Sequence, residues 1–503
     1  MSDDREDRGR VVRDRIAKLT ALKERGVEAY AYEYDPTHSA IEALALVPTG
    51  SDEGEPVRVA GRLISRRDMG KSTFAHLADR SGRIQLYFRQ NDLGPEVYSL
   101  LDLLDIGDWV GVEGVVFRTR SGEVSIRVQN VRLLAKSVRP LPFGKEEVDA
   151  ETGERTVHSG LADQELRYRQ RYVDLAISPE SRRVFELRTR VIRAIRRFLD
   201  ERDFLEVETP VLQAMYGGAS ARPFMTHHNT LDMPLYLRIA DELYLKRLIV
   251  GGMERVYEIG KDFRNEGMDR FHNPEFTMLE FYAAYLDYNG VMDLTEKLLA
   301  AVVLEACGGT TATYGEHTLD FTPPFRRLTM YDSLREVGGV DAERMTEAEL
   351  REQVRSLGVD GVDGLGRGKL IDEIFGALVE PKLIQPTFIV DYPREMSPLA
   401  KPKRGAPELT ERFELIAAGK EIVNAYSELN DPFDQRERLE AQVRLRAQGD
   451  EEAQPIDEDF LRALEYGMPP TGGFGMGVDR LVMLLSNQPS IRDVVLFPTM
   501  RPE

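Results

Sequence analysis

Cysteine is almost absent from this chain, and its rarity excludes two classes of stabilising site. Cys307 is the single cysteine among 503 residues, so neither an intramolecular disulfide nor a cysteine-cluster zinc site can form. No apolar run approaches the roughly 20 residues of a membrane-spanning helix, and the N-terminus MSDDREDRGR is charged. We therefore expect a cytoplasmic protein with no zinc, no membrane partner and no secretory signal.

An overall basic excess is also missing. The chain has 67 Lys and Arg against 86 Asp and Glu, and its net charge of −19 argues against a protein that coats nucleic acid nonspecifically. Residues 58–145 are the exception, with 15 basic and 9 acidic side chains. A basic N-terminal module on an acidic body is a layout suited to holding RNA at one end.

The N-terminal third of the sequence predicts a small β domain. Apolar spacing predicts a helix over 9–30, and the Pro-, Gly- and acid-rich stretch 35–56 predicts a linker. Five alternating strands over 57–137 then predict an OB-fold barrel, which usually binds single-stranded nucleic acid by aromatic stacking. The pattern leaves open whether Phe74 is an exposed stacking residue or a core residue.

The predicted domain division therefore has four parts: 1–56, 57–137, a polar linker over 138–160, and one large domain over 161–503. Within the large domain, helical apolar spacing predicts a helix over about 180–202. The segment 204–210 predicts a strand that ends at Pro210.

Two polar motifs mark a candidate site for a phosphate compound. In FRNEG (263–267), Arg264 and Glu266 are two residues apart and can point into one site, and the arginine fork suits paired phosphate oxygens. The following strand, after HNPEF (272–276), alternates so that one face carries Phe276, Met278, Glu280 and Tyr282.

A glycine ladder near the C-terminus is the second half of this candidate site. In GFGMGVDR (473–480) the missing side chains let the backbone approach a ligand closely, and Arg480 follows at a helix start. Alone such a run is typical of turns, but after FRNEG it indicates a nucleotide site.

Between these motifs, two strands around Ala418-Gly419 predict a hairpin that brings Glu414 and Glu421 together. Close carboxylates repel one another unless a cation or proton lies between them, and Mg²⁺ prefers oxygen ligands. We therefore expect a magnesium site there. On the second strand of this hairpin, the side chains on the face opposite to Glu421 would point into a substrate pocket: Asn424, Tyr426 and Glu428.

These motifs, in this order, resemble motifs 2 and 3 of class II aminoacyl-tRNA synthetases. From about residue 57 to the C-terminus the sequence resembles class II lysyl-tRNA synthetases of subclass IIb. The resemblance rests on these segments: RYRQRYVDL (167–175), GGASARPF (217–224), ELYLKRLIVGG (242–252), FRNEG with HNPEFTMLEFY (263–282), MSPLA (396–400), NAYSELNDP (424–432) and LEYGMPPTGGFGMGVDR (464–480).

The resemblance implies an α+β fold, with an OB-fold barrel joined to an antiparallel catalytic sheet flanked by helices, working as a homodimer. It implies that the chain activates lysine with ATP and transfers it to tRNA(Lys), with Arg264 and Arg480 catalytic. The ATP residues it implies are Arg264, Glu266, His272, Phe276, Glu414, Glu421 and Arg480, the two glutamates holding Mg²⁺. The lysine residues it implies are Gly218, Glu242, Arg264, Glu280, Tyr282, Asn424, Tyr426 and Glu428.

By the same resemblance, Phe74, Gln85 and Glu123 would contact the anticodon. Two alternatives remain open: an aspartyl- or asparaginyl-type relative, and an RNA-binding paralogue without activity. Two departures from the family pattern are Asp203, where the family usually has Gly, and Asp241 in ADEL, where APEL is usual. Losing that proline is expected to loosen the pocket edge slightly.

Overall fold

The computed structural model describes residues 2–47, 53–143, 145–148, 155–158, 160–359, 361–447 and 454–502. The chain divides into two compact units, Met1–Arg167 with Tyr172–Ser178, and Tyr168–Arg171 with Pro179–Glu503. In the described ranges, no helix has both the length and the apolarity needed to cross a membrane.

The helices, numbered in chain order, are α1 Ser2–Glu24, α2 Ala40–Ala45, α3 Gln90–Ser99, α4 Gln164–Arg169, α5 Arg171–Ile177, α6 Pro179–Asp200, α7 Glu242–Val250, α8 Tyr288–Cys307, α9 Met330–Ser333, α10 Glu347–Ser356, α11 Arg367–Leu378, α12 Pro432–Ala447, α13 Glu458–Glu465, α14 Val478–Leu485 and α15 Ile491–Val494. Four short 3-10 segments, Leu100–Leu103, Val362–Gly364, Glu380–Lys382 and Arg394–Met396, and a π-helical turn, Leu334–Gly338, lie between them.

The strands are β1 Glu53–Met69, β2 Ser72–Ala78, β3 Arg83–Arg89, β4 Trp109–Arg118, β5 Val124–Ala135, β6 Lys145–Val148, β7 Arg155–His158, β8 Leu205–Glu206, β9 Leu212–Gln213, β10 Met225–His228, β11 Met233–Leu237, β12 Arg255–Phe263, β13 Glu275–Ala284, β14 Thr311–Tyr314, β15 His317–Asp320, β16 Arg326–Thr329, β17 Thr387–Val390, β18 Pro402–Lys403, β19 Ala406–Thr410, β20 Arg412–Ala417, β21 Lys420–Ser427 and β22 Thr471–Gly477.

In the N-terminal unit, β1 to β5 close into a barrel in the order β1-β2-β3-β5-β4. Alternate residues of β2 are buried, so Ala75 and Leu77 face the barrel core, whereas Phe74 and His76 face outward. The predicted OB-fold is confirmed by this topology and by the family comparison below.

The stretch 35–56 is more structured than its composition predicts. It contains α2 and the start of β1, and residues 48–52 lie outside the described part. The reason is local: Ser39 and Glu42 form a capping box that starts the short helix. Of the predicted linker 138–160, residues 144, 149–154 and 159 lie outside the described part, and β6 pairs with β7.

In the C-terminal unit, eight strands form one sheet in the order β16-β17-β20-β21-β22-β13-β12-β8. Two edge pairs, β16 with β17 and β12 with β8, are parallel, and the central pairs are antiparallel. Helices α6, α8 and α14 cover one face with a large apolar core, which leaves the other face of the central strands free for polar side chains. The predicted α+β class is confirmed.

Two predicted elements around the edge of this sheet differ in detail. Helix α6 matches the predicted helix closely, and Asp203 just beyond it has φ 62°, a left-handed conformation that Asp tolerates. The strand predicted over 204–210 is only the two residues of β8. Pro210 has no N–H for a ladder, and the N–H of Thr209 donates instead to Glu258 Oε2 at 3.0 Å.

Candidate active site

A cavity of about 450 Å³ lies in the C-terminal unit, on the polar face of the central strands. It is lined by β13, β20, β21 and β22, by α7, and by the loop between β12 and β13. All fourteen residues predicted to contact ATP or lysine line this one cavity: Gly218, Glu242, Arg264, Glu266, His272, Phe276, Glu280, Tyr282, Glu414, Glu421, Asn424, Tyr426, Glu428 and Arg480.

The floor of the cavity is formed by β13 beside β22. Phe276, Met278, Glu280 and Tyr282 face the cavity, whereas Leu279 and Phe281 lie in the core on the other side. The other side also has polar contacts: the Thr277 hydroxyl accepts from Arg188 Nη2 at 2.8 Å, and the Thr277 N–H donates to Asp479 Oδ2.

At position 473 of β22, the floor of the cavity has room for glycine only. It pairs with Tyr282 on one side and Tyr426 on the other. A Cβ at this position would overlap the carboxylate of Glu428 and come within 2.7 Å of the Tyr282 ring. Glycine therefore keeps open the space in which these side chains meet.

Arginines define one end of the cavity. The guanidinium of Arg264 lies 5.0 Å from the centre of the Phe276 ring and donates long bonds of 3.4 Å to the Ile239 carbonyl. Arg480 donates to the carbonyl of Glu421 at 2.9 Å and to its carboxylate at 3.2 Å, and contacts His272 Nε2 at 3.2 Å. Both guanidinium groups face open space, as an anion site requires.

The glutamate hairpin differs from the predicted geometry in one respect. Ala418 and Gly419 form the predicted turn, with φ 51° and 68°. Glu414 pairs with Asn424, whereas Glu421 pairs with Ile416, because Ile422 is an extra residue in β21. This bulge turns Glu421 toward the same cavity as Asn424, although simple alternation had placed them on opposite faces.

The electrostatics of this hairpin suit a cation. Burial raises the pKa of Glu414 to about 8, with Arg412 opposing the shift and Glu421 adding to it. The Arg412 Nη2 group donates to Glu414 at 2.5 Å. Arg412 pairs with Glu414 and Arg480 contacts Glu421, and together the two carboxylates offer the oxygen ligands that a hard cation prefers.

Carboxylates define the other end of the cavity. Glu242, Glu280 and Glu428 are all buried there. The Tyr426 hydroxyl donates to Glu242 Oε2 at 2.7 Å, and the Tyr282 hydroxyl donates to Glu280 Oε2 at 3.1 Å. Buried carboxylates of this kind require cationic partners.

Behind this end, Asp241 has a different role from the one expected at a lost proline. It is fully buried, and its N–H, which proline lacks, donates to Glu280 Oε1 at 3.2 Å. Oxygens of Asp241, Asp262 and Glu280 lie within 4.8 Å of one another. Arg238 lies 2.8 Å from Asp241 and 3.3 Å from Asp262. These ion pairs fix Asp241 in the wall of the pocket.

These three neighbouring acids have pKa values above their ordinary range. Burial raises the pKa of Asp262 to about 6 and that of Glu280 to about 8, with Arg238 opposing the first shift and Asp262 adding to the second. Burial also raises the pKa of Asp241, and the neighbouring carboxylates add to the shift. Protons shared among these groups relieve the repulsion.

On the barrel, the structure brings the predicted anticodon residues to one outward face. Phe74 stacks on Tyr87 with ring centres 4.7 Å apart and is only half-buried, so the question left open by its pattern is decided against a core role. Gln85 Nε2 donates to Glu123 Oε2 at 2.8 Å, and His76 Nε2 lies 3.2 Å from Glu123 Oε1.

Comparison with known proteins agrees with both units. Residues 163–501 match the family model of class II tRNA synthetases for D, K and N, and residues 57–134 match that of the OB-fold nucleic acid binding domain. A lysine–tRNA ligase of Moorella thermoacetica is 55% identical over 491 residues, 97% of each chain. Those of Christiangramia forsetii and Pelotomaculum thermopropionicum are each 52% identical, over 97% and 99% of this chain and 85% and 96% of their own.

The chain belongs to the lysine–tRNA ligase family. This membership confirms the family predicted from the synthetase motifs.

Several polar residues of this family member were missed by sequence reasoning. They are His76 on the barrel, Arg412 in the cavity, and Lys246, a buried lysine of α7 behind the carboxylate end. A signal existed for Lys246, since it lies four residues after Glu242 and this spacing pairs opposite charges on a helix. A signal also existed for Arg412, since Glu414 lies two residues later on the same strand, but its contact with Asn424 depends on the hairpin.

Proposed function

We propose that the chain is a lysine–tRNA ligase that joins lysine to the 3′ end of tRNA(Lys) in two steps within the described cavity. The observation that carries the proposal is the division of one cavity into a carboxylate end and an arginine end. A lysine molecule has two ammonium groups and one carboxylate, and ATP brings a polyanion. The two ends therefore match the two substrates in charge.

In the first step, a lysine carboxylate oxygen attacks the α-phosphorus of ATP, and the bond to the bridging oxygen of the β-phosphate breaks. Lysyl-adenylate forms and pyrophosphate leaves. Arg264 would contact both the lysine carboxylate and the α-phosphate, and would stabilise charge that grows on phosphorus. Asn424 would share the carboxylate. No protein nucleophile is needed, so catalysis depends on alignment and charge.

The arginine end would hold ATP. Phe276 and Arg480 would enclose the adenine, with Arg480 also reaching the γ-phosphate and His272 the outer phosphates. Glu266 would contact the nucleotide beside Arg264. Glu414 and Glu421 would hold Mg²⁺, which would neutralise phosphate charge and orient the leaving group. The oxygen donors and the raised pKa of Glu414 support a cation at this place.

The carboxylate end would hold lysine. Glu428 and Tyr282, helped by Glu280, would bind the ε-ammonium, and Glu242 with the Gly218 backbone would bind the α-ammonium. Tyr426, which donates to Glu242, would fix the position of that carboxylate. An aspartate side chain would add a negative charge beside Glu242, Glu280 and Glu428, so this end favours a cationic side chain.

In the second step, a ribose hydroxyl at the tRNA 3′ end attacks the adenylate carbonyl, and AMP leaves. Phe74, Gln85 and Glu123 would contact the anticodon, where the half-buried Phe74 supports base stacking. We further propose a cytoplasmic homodimer. The support for a dimer is a set of exposed apolar residues on and between β8 and β11: Leu205, Val211, Leu212, Met215, Met225 and Leu231.

The test of this function is ATP–pyrophosphate exchange with purified protein, Mg²⁺ and one amino acid at a time, followed by charging of tRNA. We expect exchange with lysine and charging of tRNA(Lys). Exchange with aspartate or asparagine would overturn the substrate assignment, and no exchange with any amino acid would favour an inactive RNA-binding paralogue.

A further inference from the structure

Lys246 is a buried cation within the carboxylate end that has no part in the proposed function so far. It lies on α7 one turn after Glu242, and its Nζ is 2.5 Å from Glu242 Oε1. The same Nζ forms an ion pair with Glu428 Oε2. Its side chain is fully buried, and although burial opposes its charge, the two carboxylates raise its pKa.

The contacts divide the two oxygens of Glu428 between the protein and the cavity. Lys246 holds Glu428 Oε2, while Glu428 Oε1 lies beside Gly473 on the cavity wall. Glu428 Oε1 is buried and has no hydrogen-bond partner among the described residues. In Glu242, Lys246 holds Oε1 and the Tyr426 hydroxyl holds Oε2. An unpaired carboxylate oxygen on a cavity wall points to a cationic ligand.

Among the described residues, Lys246 is the only cation paired with Glu242 and Glu428. Burial raises the pKa of Glu428, and Lys246 opposes this shift while Glu242 and Glu280 add to it. Without Lys246, Glu428 would therefore bind a proton more readily. The titratable groups that face one another here are Glu242, Lys246, Glu280, Tyr282, Tyr426 and Glu428.

We propose that Lys246 is a positioning residue that holds one oxygen of Glu242 and one of Glu428, so that both carboxylates are already aimed when the two ammonium groups of lysine bind. The inference rests on the proposed function, since it assumes that lysine is the substrate. Lys246 acts from behind the carboxylates. It contacts neither the reacting carboxylate nor ATP, and it sets the affinity for lysine rather than the rate of the chemical step.

The test compares Lys246→Met with the wild type and with Lys297→Met, which removes an exposed lysine of α8. Lysine-dependent pyrophosphate exchange is measured from about pH 6.5 to about pH 8.5. Ammonium binding needs ionised carboxylates, so loss of Lys246 moves the pH at which lysine binds well to higher values. We expect the lysine KM of Lys246→Met to rise about tenfold or more at neutral pH.

The same experiment separates positioning from a general structural role. We expect the KM increase of Lys246→Met to shrink as the pH rises, while kcat at saturating lysine and the KM for ATP stay near wild type. Lys297→Met is expected to match the wild type throughout. An unchanged lysine KM would overturn the proposal, as would a lower KM, which would mean that Lys246 competes with the substrate. An equal loss of kcat at every pH would also overturn it.

A second measurement covers the case in which Lys246→Met does not fold. In a Glu280→Gln background, which removes the neighbouring titratable acid, calorimetry in buffers of different ionisation enthalpy counts the protons released when lysine binds. We expect release of less than one proton per lysine, because Lys246 favours the ionised form of Glu428, and release of one proton or more would overturn the proposal. Absence of lysine-dependent exchange in the wild type would instead refute the proposed function itself.

Discussion

Arg264 is the residue on which the proposed chemistry depends most. Its guanidinium lies against the Phe276 ring and has only long bonds to protein atoms at one carbonyl, so most of its donor capacity faces the cavity. A group preorganised in this way stabilises a charge that develops in the transition state without reorganising during the reaction.

We predict that Arg264→Ala lowers the rate of adenylate formation by at least about a hundredfold to a thousandfold. The measurement is lysine-dependent pyrophosphate exchange at saturating ATP. The thermal unfolding midpoint is expected to stay near wild type, because the side chain supports no buried ion pair. Exchange at the wild-type rate in a folded variant would refute the assignment of Arg264.

At the scale of the element, β13 and β21 show how far alternation predicts a site. Four side chains of β13 reach the cavity because the strand is regular, and their parity could be read from the sequence. In β21 the extra residue Ile422 interrupts the alternation, so that Glu421 and Asn424 face the same cavity. A bulge depends on pairing with a partner strand, so no local pattern announced it.

The glycine ladder of β22 gives a prediction about a single strand. We predict that Gly473→Ala raises the lysine KM strongly, because its Cβ would displace the carboxylate of Glu428. Gly475→Ala is the matched control, since its Cβ would meet Met278 Cε at 3.4 Å, an ordinary contact. The measurement is the lysine KM in pyrophosphate exchange. Equal effects of the two substitutions would contradict this account of the ladder.

At the scale of the whole molecule, periodicity and the motif resemblance predicted the OB-fold barrel and the large, mainly antiparallel sheet. They did not predict the charged partners. Arg238, Lys246 and Arg412 each contact a group that is distant in the sequence: Glu258, Glu428 and Asn424, respectively. Burial of these groups is a property of the tertiary structure, so the sequence could name the acids that line the cavity but not the cations that balance them.

The crowded acids predict how stability varies with pH. Burial, with Asp262 and Glu242 adding repulsion, raises the pKa of Glu280 from 4.5 to about 8. The folded state therefore binds a proton that the unfolded state releases, and this contribution to stability is lost as pH rises from 4.5 to about 8. We predict that the thermal unfolding midpoint of the ligand-free protein falls over this window and falls less in Glu280→Gln. Identical slopes would contradict the assignment.

The division into two units predicts that the two steps of the reaction can be separated by mutation. We predict that Phe74→Ala lowers kcat/KM for tRNA charging by about tenfold or more, because one base loses its stacking partner. Pyrophosphate exchange, which needs no tRNA, is expected to be unchanged. Loss of exchange in this variant, or charging at the wild-type rate, would contradict an anticodon role for that face of the barrel.

The account as a whole depends on the carboxylate end of the cavity selecting lysine, and Glu428 is its most direct test. Lysine-dependent pyrophosphate exchange by Glu428→Gln, compared with the wild type, measures that selection. We predict a lysine KM higher by about a hundredfold, the cost of removing one charge from a buried ion pair, with the KM for ATP unchanged. A wild-type lysine KM in this variant would contradict the assignment of lysine to this pocket.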